Sequence, residues 1–171
     1  MMLVTALCAF MLMAGLFIML YAGVALIQDK RFFTSAPKEV QAAVRPREER
    51  FPGAHALGWC LIAVSFALFF GAAVLGGLDG IKNGFPFWKF LIRFTAMLWL
   101  LKAYDILFFD FFLLCRSDFF PRFYPETKPV LGPHLFGYNK KTHILHVVLS
   151  PVVAAALAGI FVWIGGRLSI P

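Results

Sequence analysis

The chain has 171 residues, of which 61% are hydrophobic and 15% charged, with a formal net charge of +7 and a mean hydropathy of +0.80. Soluble domains carry an apolar share nearer half and a charged share nearer a quarter, and a core of this size has no room for the excess, so a bilayer is the expected solvent. The basic balance does not point to nucleic acid, because most Lys and Arg residues flank apolar runs, as topogenic charge does.

Four apolar runs follow in chain order, at about residues 1–27, 53–75, 87–114 and 142–164. Each reaches the ~20 residues that cross ~30 Å of hydrocarbon as a helix, and none alternates as a barrel strand does. The first has no Lys or Arg before it and is far longer than a signal-peptide core, while Leu7 before Cys8 spoils a lipoprotein cleavage site. It reads as a retained helix.

Lys30, Arg31, Lys38, Arg45, Arg47 and Arg50 fall in the segment 28–52, and Arg116, Arg122, Lys128, Lys140 and Lys141 in the segment 115–141. Short loops rich in Lys and Arg stay in the cytoplasm. The expected fold is therefore an all-α integral membrane protein, a four-transmembrane-helix bundle in one membrane domain, with both termini outside and two basic cytoplasmic loops. The cytoplasmic (plasma) membrane is the expected location.

The first loop contains a candidate surface helix, with Ser35 as cap, Pro37 in the first turn and Pro46 as stop. The second interleaves Phe119, Phe120, Phe123, Tyr124, Phe136 and Tyr138 with its basic residues, and Pro121, Pro125, Pro129 and Pro133 argue against a long helix. Arg116, Arg122, Lys140 and Lys141 are the expected surface for anionic lipid headgroups or substrate access. Small residues at Ala67 and Gly71, and at Ala155 and Gly159, mark expected helix-packing faces. Cys8, Cys60 and Cys115 are odd in number and lack C-x-x-C spacing, which suits apolar packing better than a disulfide framework.

The third run is the only one that contains acidic or basic residues: Lys89, Arg93, Lys102, Asp105 and Asp110. A charge at the bilayer centre costs about 2.5–3.5 kcal/mol on insertion scales, so several in one helix require an explanation. Lys89 and Arg93 lie near the outer boundary, where they are expected to snorkel to water. With ~1.5 Å rise per residue, Lys102 lies near the midplane, Asp105 roughly 6 Å and Asp110 roughly 13 Å toward the cytoplasm. Lys102 and Asp105 are helix neighbours and expected to neutralise each other, whereas Asp110 stands about 140° round an α-helix from Asp105 and forms no single-face dyad with it.

Two imidazoles, His143 and His146, open the fourth run, and His55 opens the second. With Asp110 they come to a similar expected height from three helices. Three functional classes stay open on these residues. The leading one binds or transports a small molecule or ion through Lys102, Asp105, Asp110, His143, His146 and His55. The second is an interfacial enzyme acting on a lipid or amphiphile, using acid–base chemistry, a divalent metal on His143, His146 and Asp110, or haem. The third is an accessory subunit of a larger membrane complex, and a homo-oligomer fits any of them.

Overall fold

The computed structural model describes residues 2–33, 36–45 and 47–168. Every regular element among them is helical. Helix α1 spans Met2–Tyr21 and continues as a π-helical segment, Ala22–Ile27. A 3-10 turn at Lys30–Phe33 and the short α2, Lys38–Ala43, lead to α3, Ala54–Lys82. Helix α4, Phe87–Tyr104, continues as a second π-helical segment, Asp105–Leu114. The short α5, Phe119–Phe123, and 3-10 turns at Pro125–Val130 and Pro133–Leu135 precede α6, Lys140–Leu168.

Three stretches are long and apolar enough to cross a membrane: Met2–Ile27, Ala54–Lys82 and Lys140–Arg167. The stretch Phe87–Leu114 is also continuously helical. It differs in that every 18-residue window of it contains at least three charged residues. Within the first loop, Pro37 does precede a one-turn helix, and the proposed Ser35 cap and Pro46 stop lie outside the described residues. Prolines break the second loop into short pieces, as a missing N–H and a fixed φ require.

Two compact units divide the chain. Unit 1 comprises Met1–Ala14, Ala67–Ala103 and Lys141–Pro171. Its core joins Cys8, Ala9 and Leu12 of α1, Ala72 of α3, Phe90, Phe94 and Met97 of α4, and Ala154, Ala158 and Phe161 of α6. On α3 and α6 the small residues at this core are Ala72, Ala154 and Ala158, all with no exposed surface. The expected α3 face does meet a neighbour, since a Cβ on Gly71 would come 3.3 Å from Met11 of α1, whereas the expected α6 face lies elsewhere, since one on Gly159 would meet nothing within 4 Å. In α6 the packed pair is thus one residue earlier than expected, on the same i, i+4 spacing. Both registers are small, and only burial separates them.

The α3–α4 hairpin is the tightest part of this unit. Helix α3 runs past the end of the apolar run at Leu75 to Lys82, and the turn passes through Gly84 at φ +60°, where a side chain would be strained. Phe90, Phe94 and Phe161 stack with ring centroids 5.6–6.3 Å apart. Gly77 and Gly80 are the slots for those rings, since an added Cβ would lie 2.1 Å from Phe161 at the first and 2.1 Å from Phe90 at the second. We expect Gly77→Ala to lower stability by about 1–3 kcal/mol, the usual cost of overpacking, because the stacked neighbours prevent Phe161 from swinging aside. Chemical unfolding in micelles checks it, with Gly159→Ala, into open space, as the neutral comparison.

Pro151 sits inside α6 and offers no N–H to the carbonyl of Val147, four residues earlier. The indole Nε1–H of Trp99 on α4 donates to that oxygen instead, at 3.1 Å. The helix thereby keeps a proline without an idle carbonyl in apolar surroundings. Trp99→Phe is expected to cost about 1 kcal/mol, and the loss should shrink when Pro151→Ala restores the backbone donor. A double-variant cycle of unfolding free energies reads this coupling directly.

Unit 2 comprises Gly15–Phe66 and Tyr104–Lys140. Here the two loop segments pack on one another. Phe33 meets Tyr124 and Phe120 at 4.9 and 6.1 Å between ring centroids, and the core continues through Val40, Val44, Leu114 and Phe123. Arg47 pairs with Glu126 at 2.5 Å, and its guanidinium lies 5.2 Å from the Tyr124 ring centroid. Burial opposes ionisation of Glu126, but hydrogen bonds from its own and Arg45's backbone N–H and from Arg47 hold its carboxyl below the usual range. Tyr124 is fully buried, and that burial pushes its phenol up.

Candidate functional site

The π-helical segment Asp105–Leu114 changes the geometry expected for its two acids. On an α-helix, residues five apart point to well-separated directions. The i→i+5 bonding of a π-helix places them nearly one above the other. Asp105 and Asp110 accordingly line the same cavity, of about 220 Å³, inside unit 2. The reading that these two carboxylates share no face is corrected by the helix type, which the residue pattern does not reveal.

The walls of this cavity are apolar, from Leu16, Val24, Phe33 and Phe120, and Tyr138 supplies a further polar group. Asp110 is 8% exposed and Asp105 half-buried. Tyr138 is 38% exposed as a residue, and desolvation of its phenol, followed by the negative charges of Asp110 and Asp105, pushes that phenol up. The phenol therefore stays protonated and able to donate a hydrogen bond beside the two acids. Phe108 and Phe109 belong to the same π-helical segment, and Phe108 stacks on Tyr104 while Phe109 meets both rings edge-on.

The remaining candidates are distributed more widely. Lys102, three residues before Asp105, is half-buried. His55 is half-buried at the start of α3, where its backbone N–H donates to Glu49 at 2.8 Å. In unit 1, His143 is buried whereas His146 is exposed, so the two imidazoles occupy different surroundings despite their spacing. No group of three or more His, Cys, Asp or Glu side chains suited to a metal ion occurs among the described residues. All three cysteines are free thiols, with Cys8 and Cys115 buried.

Arg93 is the largest departure from expectation. Far from snorkelling to water, it is 1% exposed, with Nη1 donating to the Gly76 carbonyl at 2.6 Å and Nη2 paired with Asp79 at 2.6 Å. Its guanidinium also lies 4.5 Å from the Phe85 ring centroid. The planar fork reaches a carbonyl and a carboxylate at once while a ring covers its face, an arrangement a lysine does not reproduce. Asp79 was invisible as a partner because it falls beyond the apolar run, in what reads as a loop. The cue available in the sequence was small spacing at Gly76, Gly77 and Gly80, which fits a helix continuing against a neighbour.

Of the expected headgroup residues, Arg116 lies over the Phe111 ring at 5.4 Å, Lys140 and Lys141 are exposed at the start of α6, and Arg122 lines a second cavity of unit 2. Comparison with known proteins yields no matching family, no similar curated protein and no similar solved structure.

Proposed function

We propose that this chain is a four-span protein of the cytoplasmic membrane that binds, and moves, a small molecule with a cationic group and an apolar body. The observation that carries the reading is the convergence of Asp105 and Asp110 on one apolar cavity through the π-helical turn. Apolar walls favour a hydrophobic body, and two carboxylates favour a positive charge that shares their desolvation. An ionisable pair inside a span is also the usual basis for coupling binding to a proton.

Four spans with the two basic loops on one side are supported by the packing of those loops, and their Lys and Arg excess favours the cytoplasm as that side. Segments 28–52 and 115–141 touch through Arg47 and Glu126 and through Phe33 and Tyr124. They are connected by α3 and by the helix Phe87–Leu114, so loops on one side imply two crossings between them. The exposed apolar side chains of α6, among them Val148, Val152 and Trp163, suit contact with lipid tails.

Benzyltrimethylammonium, a compact aromatic cation, is a suitable probe. Equilibrium binding to purified protein and uptake into proteoliposomes test the proposal, with Asp105→Asn and Asp110→Asn as comparisons. Saturable binding that falls in both variants supports it; binding and flux equal to protein-free liposomes overturn it.

A further inference from the structure

A second cavity in unit 2, of about 770 Å³, shares no lining residue with the acidic one. Arg50, Arg122 and Lys128 line it together with one acid, Asp118, and with Phe17 and Tyr21 from the last turns of α1. Three cations against one acid leave the lining at net +2 by formal charge (3 − 1). Among the described residues none of these four groups has an ion-pair partner.

That imbalance is local. Elsewhere in the same unit Arg31 is matched by Asp29 at 2.6 Å and Arg47 by Glu126 at 2.5 Å. The cations around the cavity are also held in place. Arg50 lies over the Phe123 ring at 5.3 Å from its centroid, and Arg122 extends from the five-residue α5 whose Phe120 and Phe123 are buried. A smaller cavity sharing Arg50, Arg122, Phe123 and Pro125 adds Gln28, Arg47 and one acid, Glu48, beside them. An anion that supplies several acceptor oxygens answers this donor set.

Phe17 and Tyr21 lie ten and six residues before the end of the helical span Met2–Ile27, a depth that suits the upper acyl chains below a headgroup. We propose that this cavity holds the phosphate of an anionic phospholipid, with the headgroup on Arg50, Arg122 and Lys128 and the upper acyl chains along Phe17 and Tyr21. A free phosphate shares the anion chemistry but makes no use of the aromatic wall. The proposal is independent of the acidic cavity and of the cation that cavity is proposed to bind.

Delipidated protein in micelles, titrated with phosphatidylglycerol, phosphatidylcholine or inorganic phosphate and read by native mass spectrometry, tests the assignment. Phosphatidylglycerol should bind at least about tenfold more tightly than phosphatidylcholine, and Arg50→Gln/Arg122→Gln/Lys128→Gln should remove that preference. A control triple of exposed residues outside the cavity, Lys30→Gln/Lys38→Gln/Arg45→Gln, should retain it. Asp118→Asn, which removes the one acid, should tighten binding, a gain that a misfolded chain does not produce. Equal losses in the two triples, or none in either, overturn the site. Inorganic phosphate binding as tightly as the lipid overturns the lipid as its occupant.

Discussion

Asp79→Asn is expected to destabilise the protein by about 3–5 kcal/mol, the usual cost of leaving a buried charge without its partner. The reasoning rests on the asymmetry of burial: the Arg93 side chain is 0% exposed and Asp79 is 22% exposed. Asparagine keeps the size and one acceptor oxygen but removes the charge. The guanidinium then retains only the Gly76 carbonyl and the Phe85 ring, neither of which carries a formal charge. Removing both partners should cost far less, because Arg93→Met with Asp79→Leu leaves no ion to desolvate. Arg93→Lys should fall between, since a lysine reaches one acceptor where the arginine fork reaches two. Unfolding in mixed micelles gives all three values, and a double variant as unstable as Asp79→Asn would refute the charge-based explanation in favour of lost packing alone.

Replacing both cavity acids is the second large effect. Asp105→Asn/Asp110→Asn should weaken binding of the aromatic cation by at least about a hundredfold, given that removing one partner of a desolvated charge pair costs roughly 2–5 kcal/mol. Each single variant should lose less, since the remaining carboxylate still offers the cation a negative charge. Stability measured on the same variants separates the two roles these acids could have. A fall in binding accompanied by equal or higher stability distinguishes a ligand site from a structural one. If affinity and stability fall together, the acids hold the fold instead.

The contrast between these two clusters shows which features the sequence made legible. Apolar length alone announced α1, α3 and α6, and the density of charge in residues 87–114 correctly drew attention to that helix. Proline spacing anticipated the broken second loop. Missed were features set by contact rather than by periodicity. Arg93 read as a boundary residue because its partner lies on another helix. Asp105 and Asp110 were separated by an assumed 3.6-residue turn, whereas the segment is π-helical, and nothing in Asp-Ile-Leu-Phe-Phe-Asp distinguishes five-residue from four-residue bonding. Phe108 and Phe109, placed between the acids and packed against Tyr104, one stacked and one edge-on, are the residues from which an aromatic cause for the wider turn can be argued in retrospect.

The Arg93–Asp79 pair also bears on how the chain enters a membrane during synthesis. Helix α3 emerges from the ribosome first and carries Asp79 in its last turn, before the Arg93 that pairs with it has been made. Helix α4 brings that counter-charge a few residues after the turn. Moving either helix into lipid alone exposes a bare ion, while moving the hairpin together exposes a neutral pair. The short connection from Asn83 to Pro86 makes such joint entry geometrically easy, so insertion as a two-helix unit is the route of least cost.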